Sequence, residues 1–289
     1  VYTPTGNAAP DFMENFRPGR DLYTYSVVGL DVRAGTLSTW YQLLPHDYHD
    51  WDIAAAPSLV RTHGGQHLVV AAGKDGHVYG TERASGRRVY ATVVSTQENL
   101  DGPLTGKGAR FCPGVNGGVE WNGPSYSPAT NLLYVGSVDW CTTLATYGAD
   151  QPHKLKGKQA LPWTGSNKLS APFGVNDSTR RGWLTAVDAD DGSIRWRYAS
   201  PTPIIAGVTA TAGGVVVTGD LSGNVLAFDA RDGRELWRYA TGAPIGGGVI
   251  TYAIGDTEYL AVAIGINSPA GWRLESPPAR VMVFALRPR

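Results

Sequence analysis

One short pattern recurs four times along this chain of 289 residues, and it constrains the fold more than any other feature. In each copy an acidic residue is followed four positions later by glycine and then, four or five positions later, by an aromatic residue. The acidic residue and glycine favour a tight turn, and the flanking β-branched and aromatic residues favour antiparallel strands. Each copy is therefore predicted to be a β-hairpin. The copies are Asp31/Gly35/Trp40, Glu82/Gly86/Tyr90, Asp188/Gly192/Trp196 and Asp229/Gly233/Trp237.

The spacing of the copies predicts a β-propeller. Their acidic residues lie 51, 106 and 41 positions apart, which corresponds to one, two and one repeats of the roughly 40–50 residues that form a propeller blade. Residues 123–140, with a turn at 128–131, are the candidate for the unmatched middle blade. We therefore predict an all-β propeller of four to five blades over residues 1–289. A β-sandwich is disfavoured, because sandwiches do not repeat one turn chemistry at constant spacing.

Composition excludes several other classes of protein. The 37 glycines and 19 prolines leave few uninterrupted windows for a helical bundle. The 25 basic residues balance 25 acidic ones, so no net charge attracts a nucleic acid. No apolar run approaches the roughly 20 residues of a membrane-spanning helix. The first residues lack the basic and apolar regions of a signal peptide.

The stretch 142–181 and the two cysteines give further expectations. The stretch is rich in Gly, Pro, Lys and Ser, so we expect a long surface loop inserted into the propeller. Cys112 and Cys141 do not form a CxxC pair, which argues against a zinc site. They are either two buried thiols or one disulfide formed in an oxidising compartment, and the disulfide is favoured.

An unusual concentration of acidic and imidazole groups occurs at positions 45–52, where five of eight residues are His or Asp. Such groups repel one another and lose hydration when packed together, unless a cation or a buried network compensates. Strand-like alternation would place Asp50 and Asp52 on one face, where both carboxylates could bind a hard cation. A solvated loop is the alternative interpretation.

Several segments, in this order, resemble the quinoprotein dehydrogenases, which oxidise alcohols or sugars with pyrroloquinoline quinone (PQQ). These propellers have eight blades with docked tryptophans, and the resemblance covers only the C-terminal half of the family domain. The segments are TPTGNAAP (3–10), PHDYHDWDIAAAPSLV (45–60), AAGKDGHVYG (71–80), FCPGVNGGVEWNGPSYSP (111–128) and TAGGVVVTGDLSGNVLAFDARDG (211–233).

The resemblance implies a role for several residues. Asp50 would be the general base that takes the substrate hydroxyl proton, and Lys74 would contact the quinone oxygens. Asn7, Asp50 and Asp52 would bind the metal, which would be Ca²⁺ or a lanthanide ion. Asp52 resembles the extra carboxylate of lanthanide-dependent members.

The chain also departs from the family pattern. His49 stands where a tryptophan commonly precedes the catalytic aspartate, and Glu120 stands where an amide would face the cofactor. Glu120 and Trp121 are candidate cofactor contacts, although ordinary blade packing explains them equally well. These departures fit a divergent subfamily.

The resemblance further implies a Cys112–Cys141 disulfide, a periplasmic or secreted location, and a cytochrome or quinone as electron acceptor. The family's glutamate ligand, stacking tryptophan and adjacent-cysteine disulfide belong to the N-terminal half. We therefore expect a complementary half, or a second copy of the chain, as partner, and a small alcohol or sugar as substrate.

Two other functions are compatible with the sequence. The first is a non-catalytic propeller that binds or assembles other molecules and has lost PQQ. The second is a metal-dependent hydrolase or lyase, in which His46, His49 and Asp50 would be the ligands.

Overall fold

The computed structural model describes residues 1–147, 164–167, 173–266, 271–272, 274 and 277–286. Within this part, the one helical element is a single 3-10 turn at Glu14–Phe16, and the remaining elements are strands. No helix of the described residues is long and apolar enough to cross a membrane. The prediction of an all-β chain is confirmed.

Five antiparallel sheets, named here blades I to V, follow one another along the chain. Blade I contains β1 (Tyr2–Pro4), β2 (Ser26–Asp31) and β3 (Thr36–Gln42). Blade II contains β4 (Ser58–Arg61), β5 (His67–Ala72), β6 (His77–Glu82) and β7 (Arg88–Val93), and blade III contains β9 (Ser125–Ser127), β10 (Leu132–Asp139), β13 (Arg181–Asp188) and β14 (Ile194–Ser200). Blade IV contains β15 (Thr209–Ala210), β16 (Val215–Gly219), β17 (Asn224–Asp229) and β18 (Glu235–Ala240), and blade V contains β19 (Val249–Ile254), β20 (Thr257–Ile264) and β21 (Arg280–Ala285). A small sixth sheet contains β8 (Ala109–Phe111), β11 (Thr142–Leu144) and β12 (Val175–Asn176).

The four repeated patterns form the predicted hairpins, each at the outer strand pair of a blade. They connect β2 to β3, β6 to β7, β13 to β14 and β17 to β18. In every copy the glycine N–H donates to the carbonyl of the acidic residue at 2.8–3.0 Å. All four glycines have φ between +66° and +77°, the left-handed region that other residues adopt only at a cost.

The pattern also explains how successive blades pack. A bulky aromatic side chain of one blade covers the turn glycine of the next, so that a Cβ on Gly192 would lie 2.5 Å from the Tyr90 ring and one on Gly233 would lie 2.5 Å from the Trp196 ring. The Trp196 indole N–H also donates to the Ala230 carbonyl at 3.1 Å. Buried apolar clusters fill the spaces between blades I and II, II and III, III and IV, and IV and V.

In the first copy the aromatic residue of the pattern does not cover the next turn glycine. Tyr41, not Trp40, faces Gly86 of blade II, and its hydroxyl donates to the Arg83 carbonyl at 2.6 Å. Thr39 pairs with Gly29 at the position that Tyr90 and Trp196 occupy in blades II and III, so this hairpin has no aromatic residue there. Tyr41 lies two positions later on the same face of the strand, whereas Trp40 lies on the opposite face. Trp40 instead contacts the Tyr23 ring and the Arg20 guanidinium.

The middle blade forms as predicted, with Asn131 at φ +57° closing the turn between β9 and β10. Of the predicted loop at 142–181, the described ends contribute β11 and β12 to the small sheet, and residues 148–163 and 168–172 lie outside the described part. The Cys112–Cys141 disulfide is present, with a Cα–Cα distance of 4.5 Å.

Candidate functional site

The polar residues selected from the sequence meet around Lys74. This lysine lies in the turn between β5 and β6, and its ammonium nitrogen is 2.7 Å from Asp50 Oδ2 and 3.4 Å from Asp52 Oδ2. Both aspartates come from the segment between β3 and β4. The Lys74 backbone N–H also donates to the Asp52 carbonyl at 3.0 Å. Lys74 and Asp50 are buried, with 6% and 8% of their surface exposed.

The alternation predicted a strand for the segment that carries the two aspartates, but the structure shows none there. The segment forms turns, and Asp50 has a φ of +66°. This conformation is uncommon for a residue with a side chain, although aspartate tolerates it better than most. The two carboxylates still converge on Lys74, because the local turn replaces the predicted strand geometry.

Asn7 joins the site from the loop that follows β1. Its backbone N–H donates to Asp52 Oδ1 at 2.6 Å. A Cβ on the preceding residue, Gly6, would lie 2.8 Å from the same carboxylate oxygen, so a larger residue there would displace the Asp52 side chain. The Asn7 side chain hydrogen-bonds the Asp11 carboxyl group, which burial gives a raised pKa. Asp11 was missed in the sequence, where no recognisable motif distinguishes it.

Glu120 approaches Lys74 from the loop before β9. The Gly118 backbone packs directly on the Lys74 carbonyl, with φ +75°, and the Val119 N–H donates to the Gly73 carbonyl at 3.0 Å. These contacts hold Glu120 in the interior, with 6% of its surface exposed. Its Oε1 atom is buried and accepts no hydrogen bond from any residue that the structure describes.

The cluster contains more carboxyl groups than cationic groups. Burial raises the pKa of Asp50 to about 7 against the opposing effect of Lys74, and burial raises the pKa of Glu120 to about 7. Burial would lower the Lys74 pKa, but Glu120, Asp50 and Asp52 outweigh it and raise that pKa. One lysine therefore faces several carboxyl groups in a poorly hydrated site, which favours the uptake of protons or of a cation.

The residues present fit part of a site for a hard cation. The Asp50 and Asp52 carboxylates and the Asn7 amide group carry oxygen ligands, which Ca²⁺ and similar ions prefer. The unpartnered Glu120 oxygen adds to the uncompensated polar groups. Across the described ranges, no three His, Cys, Asp or Glu side chains lie close enough to hold a metal ion by themselves. A complete coordination shell would therefore need ligands beyond these carboxylates.

The structure does not bring the two histidines to the site. His49 is buried, its Nδ1 lies 3.2 Å from Asp47 Oδ1, and its ring stacks on Trp51. His46 is half-exposed and lies near Asp21. The predicted ligand set of a hydrolase or lyase, His46, His49 and Asp50, is therefore not assembled.

Trp121 follows Glu120 but is 47% exposed. Its indole N–H donates to the Gly246 carbonyl at 3.1 Å, and its ring meets Trp272 edge-on at 6.3 Å. These contacts tie the loop before β9 to the loop before β19. They agree with blade packing, and the exposed ring also leaves surface for a planar ligand.

Comparison with known proteins places these residues in context. Residues 1–101 match the family described as glucose/ethanol/alcohol dehydrogenase, beta-propeller domain. The chain is 27% identical over 302 aligned positions to methanol dehydrogenase [cytochrome c] subunit 1 of Methylobacterium organophilum, covering 94% of this chain and 46% of that protein. It is 29% identical to the quinoprotein ethanol dehydrogenase of Pseudomonas putida, over 68% of this chain and 35% of that protein.

The chain is similar to the quinoprotein alcohol dehydrogenases. It spans less than half the length of the curated relatives that it matches. A second match, over residues 180–262, is to the family described as outer membrane protein assembly factor BamB.

Solved structures confirm the propeller fold. The quinohemoprotein alcohol dehydrogenase from Comamonas testosteroni superposes with a TM-score of 0.79 at 24% identity, covering 98% of this chain and 46% of that one. A europium-containing methanol dehydrogenase superposes with a TM-score of 0.77 at 23% identity, covering 92% and 48%.

Proposed function

We propose that the chain is the C-terminal half of a PQQ- and metal-dependent dehydrogenase that oxidises the hydroxyl group of an alcohol or a sugar. The observation that carries this proposal is the buried Asp50–Lys74 pair, surrounded by further carboxyl groups and by Asn7. The similarity to quinoprotein alcohol dehydrogenases supports the reaction class.

Asp50 is the proposed general base. Lys74 binds its Oδ2 atom, whereas Oδ1 accepts no hydrogen bond from the described residues and is available to a substrate hydroxyl. Its raised pKa, about 7, suits a group that accepts a proton near neutral pH. Lys74 keeps its positive charge, so it can stabilise negative charge on a bound acceptor.

The metal, Ca²⁺ or a lanthanide ion, would be held by Asn7, Asp50 and Asp52. The quinone would be bordered by Lys74, Glu120 and Trp121. When bound, PQQ supplies the two-electron acceptor and the metal supplies Lewis acidity. This chain's contribution is to bind and orient these groups, to exclude water around Asp50 and to take the hydroxyl proton.

The outward face of blade V supports a partner that completes the ring. Side chains of β19 to β21 that point away from blade IV are apolar and exposed, including Ile250 (57%), Ile254 (66%), Val281 (68%) and Val283 (52%). An exposed apolar sheet face of this kind is typical of an interaction surface. The proposed occupant is the complementary N-terminal half, in the same polypeptide or another, or a second copy of the chain.

A periplasmic or secreted location and a cytochrome or quinone as electron acceptor complete the proposal. The disulfide fits an oxidising compartment of this kind.

Calorimetric titration of the metal-free chain with La³⁺ and Ca²⁺, followed by PQQ, tests the proposal. We expect saturable binding of one of the metals, lost in Asp50→Asn and in Asp52→Asn. An Asp229→Asn variant, changed at a turn of blade IV, is the control and should bind as the wild type does. Absence of metal and PQQ binding in the wild-type chain and in its complex with the complementary half would contradict the proposal.

A second candidate function is a non-catalytic assembly module that has lost PQQ. The match of residues 180–262 to the BamB family and the acidic Glu120 beside Lys74 favour it. A folded, assembled protein that takes up no PQQ in the presence of metal, as judged by mass spectrometry, would support this alternative.

A further inference from the structure

The conformation of Asp50 depends on a carboxylate three positions earlier. Asp47 is buried, and its side chain accepts hydrogen bonds from two backbone N–H groups that lie on either side of Asp50. The Trp51 N–H donates to Oδ2 at 2.9 Å, and the His49 N–H lies 3.1 Å from both carboxylate oxygens. These bonds close a turn around Asp50 and compensate for its left-handed φ of +66°.

His49 reinforces this turn instead of binding a metal. Its Nδ1 atom lies 3.2 Å from Asp47 Oδ1. The imidazole is 1% exposed, stacks on Trp51 at 4.1 Å and meets the Phe111 ring edge-on at 4.8 Å. The side chains on both sides of Asp50 are therefore fixed by packing, while Asp50 itself points to Lys74.

Tyr25 connects this turn to the segment that carries Asn7. Its side chain is fully buried, and its hydroxyl donates to the Asp47 carbonyl at 3.0 Å and accepts from the Ala8 N–H at 2.9 Å. The buried Arg17 guanidinium donates to the same Asp47 carbonyl at 2.7 Å. The hydroxyl thus connects Ala8 and Asp47, which are 39 positions apart in the sequence. The first segment brings the predicted ligand Asn7, and the second brings Asp50 and Asp52.

We infer that Asp47 and Tyr25 are positioning residues that set the geometry of the Asn7, Asp50 and Asp52 ligand group. Neither contacts a metal or a substrate. Asp47 fixes the backbone around Asp50, and Tyr25 fixes the distance between that backbone and the Asn7 segment. The inference rests on the proposed function only for what the ligand group binds. Partners of this kind commonly change metal affinity about 10–100-fold when removed.

The first test is calorimetric La³⁺ titration of the full chain. We expect Asp47→Ala and Tyr25→Phe each to weaken La³⁺ binding about 10-fold or more, and Asp47→Asn, which keeps one acceptor oxygen, to recover part of the loss. Asp31→Ala is the matched control, because Asp31 also accepts two backbone N–H bonds in blade I, but at the opposite end of β2. It should bind La³⁺ as the wild type does. Wild-type affinity in Asp47→Ala would overturn the inference.

A crystal structure of the Asp47→Ala variant, or of Asp47→Leu if the first does not fold, separates this inference from the proposed function, because neither replacement offers an acceptor oxygen. We expect Asp50 to leave its left-handed conformation and to lose its contact with Lys74. If both are retained, the positioning role is wrong, whatever the chain binds. If the wild-type chain and its assembled complex bind no La³⁺, Ca²⁺ or PQQ, the proposed function fails, and the position of Asp50 in the variant structure still decides the inference.

Discussion

Replacing Gly233 by alanine tests whether successive blades are held by an aromatic side chain on a turn glycine. The substitution should lower the free energy of unfolding in two ways. The φ of +73° in the left-handed region costs about 1–2 kcal/mol for a residue with a Cβ. The added methyl group would also lie 2.5 Å from the Trp196 ring, and overpacking of this kind costs about 1–3 kcal/mol.

Gly214→Ala in the same blade separates the two costs. Gly214 has a φ of +77°, but a Cβ there meets no atom within 4 Å, so only the backbone cost applies. Since 1 kcal/mol lowers the melting temperature of a domain of this size by about 2–4 °C, Gly233→Ala should melt roughly 2–12 °C below Gly214→Ala. Thermal unfolding followed by circular dichroism measures both.

A double variant identifies the contact that is responsible. In a Trp196→Leu background the ring is absent, so Gly233→Ala should cost no more than Gly214→Ala does. Equal melting temperatures of Gly233→Ala and Gly214→Ala, or an unchanged cost in the Trp196→Leu background, would refute the docking argument.

Three further predictions concern the site and the stability of the fold. Lys74→Gln leaves the buried carboxylates without their cation, so the free energy of unfolding of the metal-free variant should fall by about 3–5 kcal/mol. La³⁺ should then raise the melting temperature of the variant more than that of the wild type, and an equal shift would contradict the charge argument. Joint replacement of Cys112 and Cys141 by serine opens a loop of about 30 residues and should cost about 3–4 kcal/mol in chemical denaturation, with reductant destabilising only the wild type. Burial lowers the His77 pKa, but a buried aspartate at 2.6 Å outweighs this and raises it. The protonated imidazole therefore stabilises the fold below about pH 6.5, and this contribution is lost as pH rises through the raised pKa. The melting-temperature difference between wild type and His77→Gln should shrink as pH rises above about 6.5, and a constant difference would contradict this prediction.

The blades could be predicted from the sequence because their information is local. An acidic residue and a glycine four positions apart specify a turn, and the repeat length specifies the architecture. Trp40 shows the limit of this reasoning. In the β2–β3 hairpin Thr39 occupies the docking position, and Tyr41 covers the next turn glycine from the same face of the strand. The spacing of the pattern does not specify which face an aromatic residue occupies, and Trp40 lies on the other face.

The candidate site was predicted in part, because its chemistry-bearing residues lie in segments that resemble those of a known family. The packing of three blades brings five of these residues together, and the sequence alone does not show this packing. They are Asn7, Asp50, Asp52, Lys74 and Glu120.

The supporting residues were not predictable in the same way. Tyr25 acts through contacts with segments on both sides of it that are far apart in the sequence. Asp11 likewise faces Asp52 and Lys74 from a distant segment. The strand predicted at Asp50 is also absent, because backbone hydrogen bonds to the Asp47 carboxylate impose a turn. The alternation of residue types gives no sign of such a turn.

The most direct test of the central claim is alcohol-dependent reduction of an artificial dye by the assembled protein, loaded with PQQ and with Ca²⁺ or La³⁺. We predict turnover by the wild type and its loss in Asp50→Asn, with metal-free folding and blade packing unchanged. Turnover that survives Asp50→Asn, or a fully loaded wild-type protein that oxidises no alcohol or sugar, would contradict the assignment of Asp50 as the base of a quinoprotein dehydrogenase.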